Sequence, residues 1–193
     1  LLEVADDILL SEDEEARAII KAKLEAMGID LEVKADIQEV QKDSVQTGSK
    51  SYEFDQVLLA TGRQANLDLA QDLGLALTGD GRFVQVDSYY RTSQAHIYAI
   101  GDLVDSAQLA HVASQEGKGA VNHLTRQPRQ AFNQKLIPRC VYTDPEIASF
   151  GFSEAEAQEA GYQPRLCQHA FASNGQALAS GQTEGFVKLL VDE

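Results

Sequence analysis

Arg91-Thr92-Ser93-Gln94-Ala95-His96-Ile97-Tyr98-Ala99-Ile100-Gly101-Asp102 is the stretch whose reading decides the fold. Its second half, Ile97 to Ile100, is a short apolar run that suits a strand buried on both faces. Such strands belong to open α/β sheets, where ligands sit outside the carboxyl ends of the strands. Glycine at that end lets a ligand approach the backbone. An aspartate just beyond it can accept hydrogen bonds from sugar or polyol hydroxyls. A turn glycine followed by a helix-capping aspartate would give the same local pattern with no ligand at all.

Working downstream, the spacing predicts a long helix over Gln108 to Leu124, closed by Gln127-Pro128. Leu109, Val112, Ala113, Glu116, Ala120 and Leu124 fall near one face. The N-terminus of this helix would aim its free N–H groups and positive dipole end at whatever Asp102 holds. Upstream, Val57-Leu58-Leu59-Ala60 is a second apolar run, ending in Thr61-Gly62-Arg63. It too reads as a buried strand.

The flanks supply further elements. Ser11 with Glu14 three residues on reads as a capping box for a helix. Its stripe is Ala16, Ile19, Ile20, Leu24 and Met27, and Gly28 is its stop. A short strand is predicted at Ile29 to Val33, and a meander over Asp36 to Glu53 turning at Thr47 to Lys50. Leu67 to Leu73 reads as a short helix, Gly79 to Gly81 as a turn, and Phe83 to Asp87 as a strand. Residues 126–138 read as a linker. Beyond it come short strands at Val141-Tyr142, Ile147 to Gly151, Pro164 to Phe171 and Phe186 to Val191. A helix follows Ser153, opened by a second capping box with Glu156 and ended at Gly161.

The run from Arg91 to Asp102 closely resembles the second flavin-binding motif of the pyridine nucleotide–disulfide oxidoreductases. Ala60-Thr61-Gly62-Arg63 resembles the family segment that returns the chain from the nicotinamide domain to the flavin domain. Leu109-Ala110-His111 and Glu116-Gly117 resemble the family's helix beside the flavin. Tyr142 to Ala148, Phe150 to Glu154, Asn174-Gly175 and Gly185 to Lys188 resemble its C-terminal dimerisation domain. The resemblance covers essentially the whole chain in order. It is closest to the dihydrolipoamide dehydrogenase branch, with mercuric and glutathione reductases sharing much of the pattern.

The resemblance implies α/β and α+β architecture in three pieces. Residues 1–60 would end a nicotinamide-binding Rossmann-like domain, 61–136 would belong to an FAD-binding domain, and 137–193 to an α+β dimerisation domain. It implies FAD and NAD as cofactors of the complete protein. Gly62, Arg63, Gly101, Asp102, Leu109, Ala110 and His111 would be the cofactor-binding residues here. It also implies a homodimer in the complete enzyme and an association with a lipoyl-bearing multienzyme complex.

The reacting groups are expected elsewhere. Neither of the family's two GxGxxG phosphate loops is present: Gly48, Gly62, Gly79 and Gly81 do not fit the pattern. Cys140 and Cys167 form no CxxC or CxxxxC motif. The family's redox cysteine pair and its C-terminal His–Glu pair therefore have no counterpart, and no catalytic residue is assigned. Both ends of the chain read as cuts, and the segment alone is expected to be inactive and without either cofactor. A non-catalytic dimerisation scaffold is the alternative reading, and a related disulfide reductase is another.

Composition narrows the classes. A formal net charge of −14 argues against a nucleic-acid surface, which needs clustered Lys and Arg. No apolar run approaches the roughly 20 residues that a bilayer-spanning helix needs. Two cysteines, read as reduced thiols with a disulfide between them as the alternative, and the lack of a positively charged leader fit a cytoplasmic protein. None of His96, His111, His123 and His169 sits at ligand spacing to a cysteine, so no metal site is expected.

Overall fold

The computed structural model describes residues 1–128, 133 and 136–192. The chain divides into two compact units, Leu1–Leu58 with Pro138–Glu193 and Leu59–Ile137. The linker predicted over 126–138 lies largely outside the described residues.

In the first unit, helix α1 spans Glu14–Ala26. Its N-cap is Asp13, whose carboxylate accepts from the backbone N–H groups of Glu15 and Ala16. Ser11 was the expected cap. It lies two residues too early, and its hydroxyl instead donates to Glu12. Of the predicted stripe only Ile20 is fully buried, and Met27 is exposed. Gly28 ends the helix in the left-handed region at φ +74°, where a side chain would be strained. The expected strand at Ile29 to Val33 is reduced to one parallel bridge, Leu2 to Glu32. The predicted meander is present as β1 (Ile37–Val40), β2 (Ser44–Thr47) and β3 (Ser51–Glu53), paired antiparallel in the order β1-β2-β3.

The second half of this unit contains two antiparallel pairs. Strands β4 (Arg139–Val141) and β5 (Ile147–Ser149) form one, and β6 (Arg165–Ala170) and β7 (Phe186–Val191) form the other. Between the pairs lies α4 (Glu154–Glu159) with the predicted Ser153–Glu156 capping box. A short helix over Gly175–Ser180, which the sequence reading did not predict, is capped by Asn174.

Polar contacts tie these pieces to α1. The Glu12 carboxyl, buried apart from 1% of its side chain, accepts from Ser149 Oγ at 2.6 Å and from Arg139 Nε at 3.4 Å. Lys188 on β7 reaches Asp13 at 2.8 Å and Glu15 at 3.0 Å, while Gln168 on β6 donates to Glu15. The Gln168 and Lys188 hydrogen bonds hold the Glu15 carboxyl below the usual carboxylate range. Strand β7 alternates, with Val187, Leu189 and Val191 exposed on one face, the period of two that a strand imposes.

The second unit has a core of Ala70, Val84, Ala99 and Val104, with Leu67, Leu75, Leu77 and Val86 packed on it. Among its described residues are the α-helices α2 (Asp68–Asp72) and α3 (Ala110–Leu124). Counted in chain order with α4, the helix over Gly175–Ser180 is α5. The predicted strands at Phe83 to Asp87 and Ile97 to Ile100 are extended but not regular. Each makes one isolated bridge, Leu77 to Val84 and Arg91 to Tyr98. The expected strand at Val57 to Ala60 is absent: the segment is irregular, with Leu58 88% exposed. The reason is common to all three. A strand needs a neighbour along its length, and among the described residues no ladder runs beside these segments.

Candidate functional site

The segment after Ala99 enters a tight turn at Gly101. This residue has φ +66°, and a Cβ here would lie 3.1 Å from that of Ala113 on α3. Both facts require glycine. Gly101–Leu103 forms a single 3₁₀ turn, and the Leu103 carbonyl accepts from the Val84 N–H at 2.8 Å. That bond anchors the turn to the core. Asp102 stands at the surface, its side chain 46% exposed.

Helix α3 packs against this turn through small residues. A Cβ on Gly117 would meet Ile100 at 3.2 Å, and one on Gly119 would meet Tyr90 at 2.9 Å. Val112, Glu116 and Ala120 are its buried positions, whereas Leu124, expected on the same face, is exposed. At the far end, Tyr98 and His123 Nδ1 share a hydrogen bond of 2.7 Å, with Tyr89 stacked on the imidazole at 4.5 Å. These contacts give His123 a packing role.

The start of α3 is left open. Leu109 is the N-cap and supplies no side-chain hydrogen bond. Ala110 and His111 in the first turn are exposed. Four N–H groups at the start of any helix lack i→i−4 partners; here the Leu109 N–H donates to the Ala107 carbonyl and the Val112 N–H to that of Leu109, and no side chain caps the Ala110 and His111 N–H groups. Their partial positive charge suits an acceptor or an anionic edge.

Arg63 links the predicted site residues. Its guanidinium meets Asp102 Oδ2 at 3.2 Å and donates to the Gln108 carbonyl at 2.7 Å. Arg63, Asp102 and the entry to α3 at Leu109 to His111 are thus brought together. Gly62 precedes the arginine with φ +91° and open space where a Cβ would stand. The ion pair is exposed on both sides, so its contribution to stability is small, about 0–1 kcal/mol. Its value is positional.

The sequence reading missed the role of Glu116. Its side chain is 1% exposed, and its Oε2 accepts from the Gly101 N–H at 2.6 Å. The signal was an acid within the apolar stripe of α3. Among the described residues, no group of histidine, cysteine and carboxylate side chains is placed to hold a metal, and no helix is long and apolar enough to cross a membrane.

Comparison with known proteins decides the family. The model of the pyridine nucleotide-disulphide oxidoreductases matches residues 1–117, and that family's dimerisation-domain model matches 137–193. The chain belongs to this family. Dihydrolipoyl dehydrogenases are similar to it throughout. The protein of Haloferax volcanii is 36% identical over all of this chain and 43% of its own length. That of Geobacillus stearothermophilus is 36% identical over 99% of this chain and 42% of its own. The crystal structure of LpdA from Mycobacterium tuberculosis superposes with a TM-score of 0.88, at 24% identity, over 100% of this chain and 43% of that one. It supports the fold alone. The chain therefore spans less than half the length of the curated relatives it matches.

Proposed function

We propose that this chain is part of an FAD- and NAD-dependent disulfide oxidoreductase of the dihydrolipoamide dehydrogenase type. The observation that carries the reading is the Gly101–Asp102 turn set beside the uncapped N-terminus of α3. Residues 1–60 would complete a nicotinamide-binding domain, 61–136 a flavin domain and 137–193 a dimerisation domain. The dihydrolipoyl dehydrogenase relatives, matched over the whole of this chain, favour that branch.

The residues present fit one side of a flavin. Asp102 offers a half-exposed carboxylate to polyol hydroxyls. Arg63 holds it at the surface beside α3. Gly101 permits the close backbone approach. The first-turn N–H groups at Ala110 and His111, behind the Leu109 cap, would stabilise negative charge on the ring system. Gly62 leaves open space on the nicotinamide side. Bound FAD would supply the two-electron relay, so that a dithiol is oxidised to a disulfide and NAD accepts a hydride with release of a proton. The residues of this chain bind and orient; the thiols and the proton-transfer pair are expected outside it.

The exposed alternation of Val187, Leu189 and Val191 supports a second copy of the protein as the partner of β7. A lipoyl-bearing complex as further partner, and a cytoplasmic location, belong to the same reading. The test is flavin content. In the complete protein, Asp102→Ala removes hydrogen bonds worth about 1.5–3 kcal/mol, roughly ten- to a hundredfold in flavin affinity. The flavin absorbance carried through purification should fall accordingly. Unchanged flavin content would remove the assignment.

A further inference from the structure

We propose that Glu116 is a positioning residue for the flavin-facing turn, acting through Gly101 on Asp102. The proposal rests on the flavin reading above. Glu116 is among the largest side chains in the structure that are fully buried, and it carries a carboxyl. Burying such a group is costly unless its oxygens are satisfied. Its Oε2 is spent on one backbone group, the Gly101 N–H, at 2.6 Å.

That N–H belongs to the residue of the turn that takes the left-handed conformation. Gly101 is held at φ +66° and pressed against Ala113. The next residue is Asp102, whose carboxylate direction follows from the Gly101 backbone. Arg63 steers the exposed end of the same carboxylate from the other side. One helix therefore sets two features of the site. Its first turn offers open N–H groups, and Glu116 within it fixes the neighbouring turn. The bond joins α3 to Gly101 at the point where the helix comes closest, a Cβ on Gly101 meeting Ala113 at 3.1 Å and one on Gly117 meeting Ile100 at 3.2 Å.

The experiment uses the complete protein stripped of flavin and titrated with FAD, with thermal melting of each apoprotein as the control on folding. Glu116→Gln keeps an acceptor oxygen at the same reach and should bind FAD within about threefold of the parent. Glu116→Asp withdraws the carboxyl by one methylene and should weaken binding about tenfold. Asp102→Ala combined with Glu116→Asp should be no weaker than Asp102→Ala alone, because both act on one contact. Parent-like binding by Glu116→Asp, with Asp102→Ala impaired, would overturn the positioning role. So would effects that multiply in the double variant, or a Glu116→Gln protein as weak as Glu116→Asp. Full binding by Asp102→Ala would instead overturn the flavin reading itself.

Discussion

Two segments of this protein share one sequence design and meet opposite fates. Val57 to Arg63 and Ile97 to Asp102 each run four apolar residues toward a glycine and a charged side chain, the first with Thr61 in between. In the second, Ala99 is 5% exposed and lies in a core with Val84 and Val104. In the first, Leu58 is 88% and Leu59 69% exposed. Both glycines adopt positive φ, yet only Gly101 has a neighbour within contact distance of a Cβ. The lesson is that an apolar run states a demand for burial without naming what meets it. Helix α3 and the 83–87 segment meet it for Ile97 to Ile100. Among the described residues, nothing ladders with Val57 to Ala60.

The comparison can be broken by substitution, read in each case by urea denaturation. Gly101→Ala should have the largest effect. Left-handed backbone and the 3.1 Å approach to Ala113 together should cost about 2–4 kcal/mol. Gly62→Ala, strained but uncrowded, should cost visibly less; equal losses would mean that packing at Gly101 contributes nothing. Ala99→Leu should follow, losing about 1–3 kcal/mol by overfilling the core around Val84 and Val104. A neutral outcome would show that this run is no better packed than the first. Tyr98→Phe removes the hydrogen bond to His123 and should cost about 1 kcal/mol. Leu58→Ser should change stability by no more than about 0.5 kcal/mol. A loss well above that would show the first run to be buried after all, and the contrast would collapse.

Much of the candidate site was legible because it rests on local chemistry. Gly101, Asp102 and the start of α3 are close in sequence, and their types alone specify a tight turn, an acceptor and an open helix end. Arg63 was legible as a candidate but not as the partner of Asp102, which lies far from it along the chain. Glu116 was visible as an acid on an apolar face, and only its burial against Gly101 shows what the acid does. The α1 cap was misplaced by two residues, since Ser11 and Asp13 are equally good caps by type and the backbone path chooses between them.

The sequence by itself determined the family motifs, the longer helices to within a few residues of their ends, the Ser153–Glu156 cap, the stops at Gly28 and Gly161, and the strand segments of the C-terminal part. These depend on residue type and short-range spacing, which the chain carries wherever it is placed. Only the tertiary structure decided which apolar runs became core, which carboxyls were buried, and that Arg63, Asp102 and Gln108 meet at one point. Those outcomes depend on residues distant in sequence, because burial and hydrogen-bond satisfaction are properties of the neighbours a group acquires on folding.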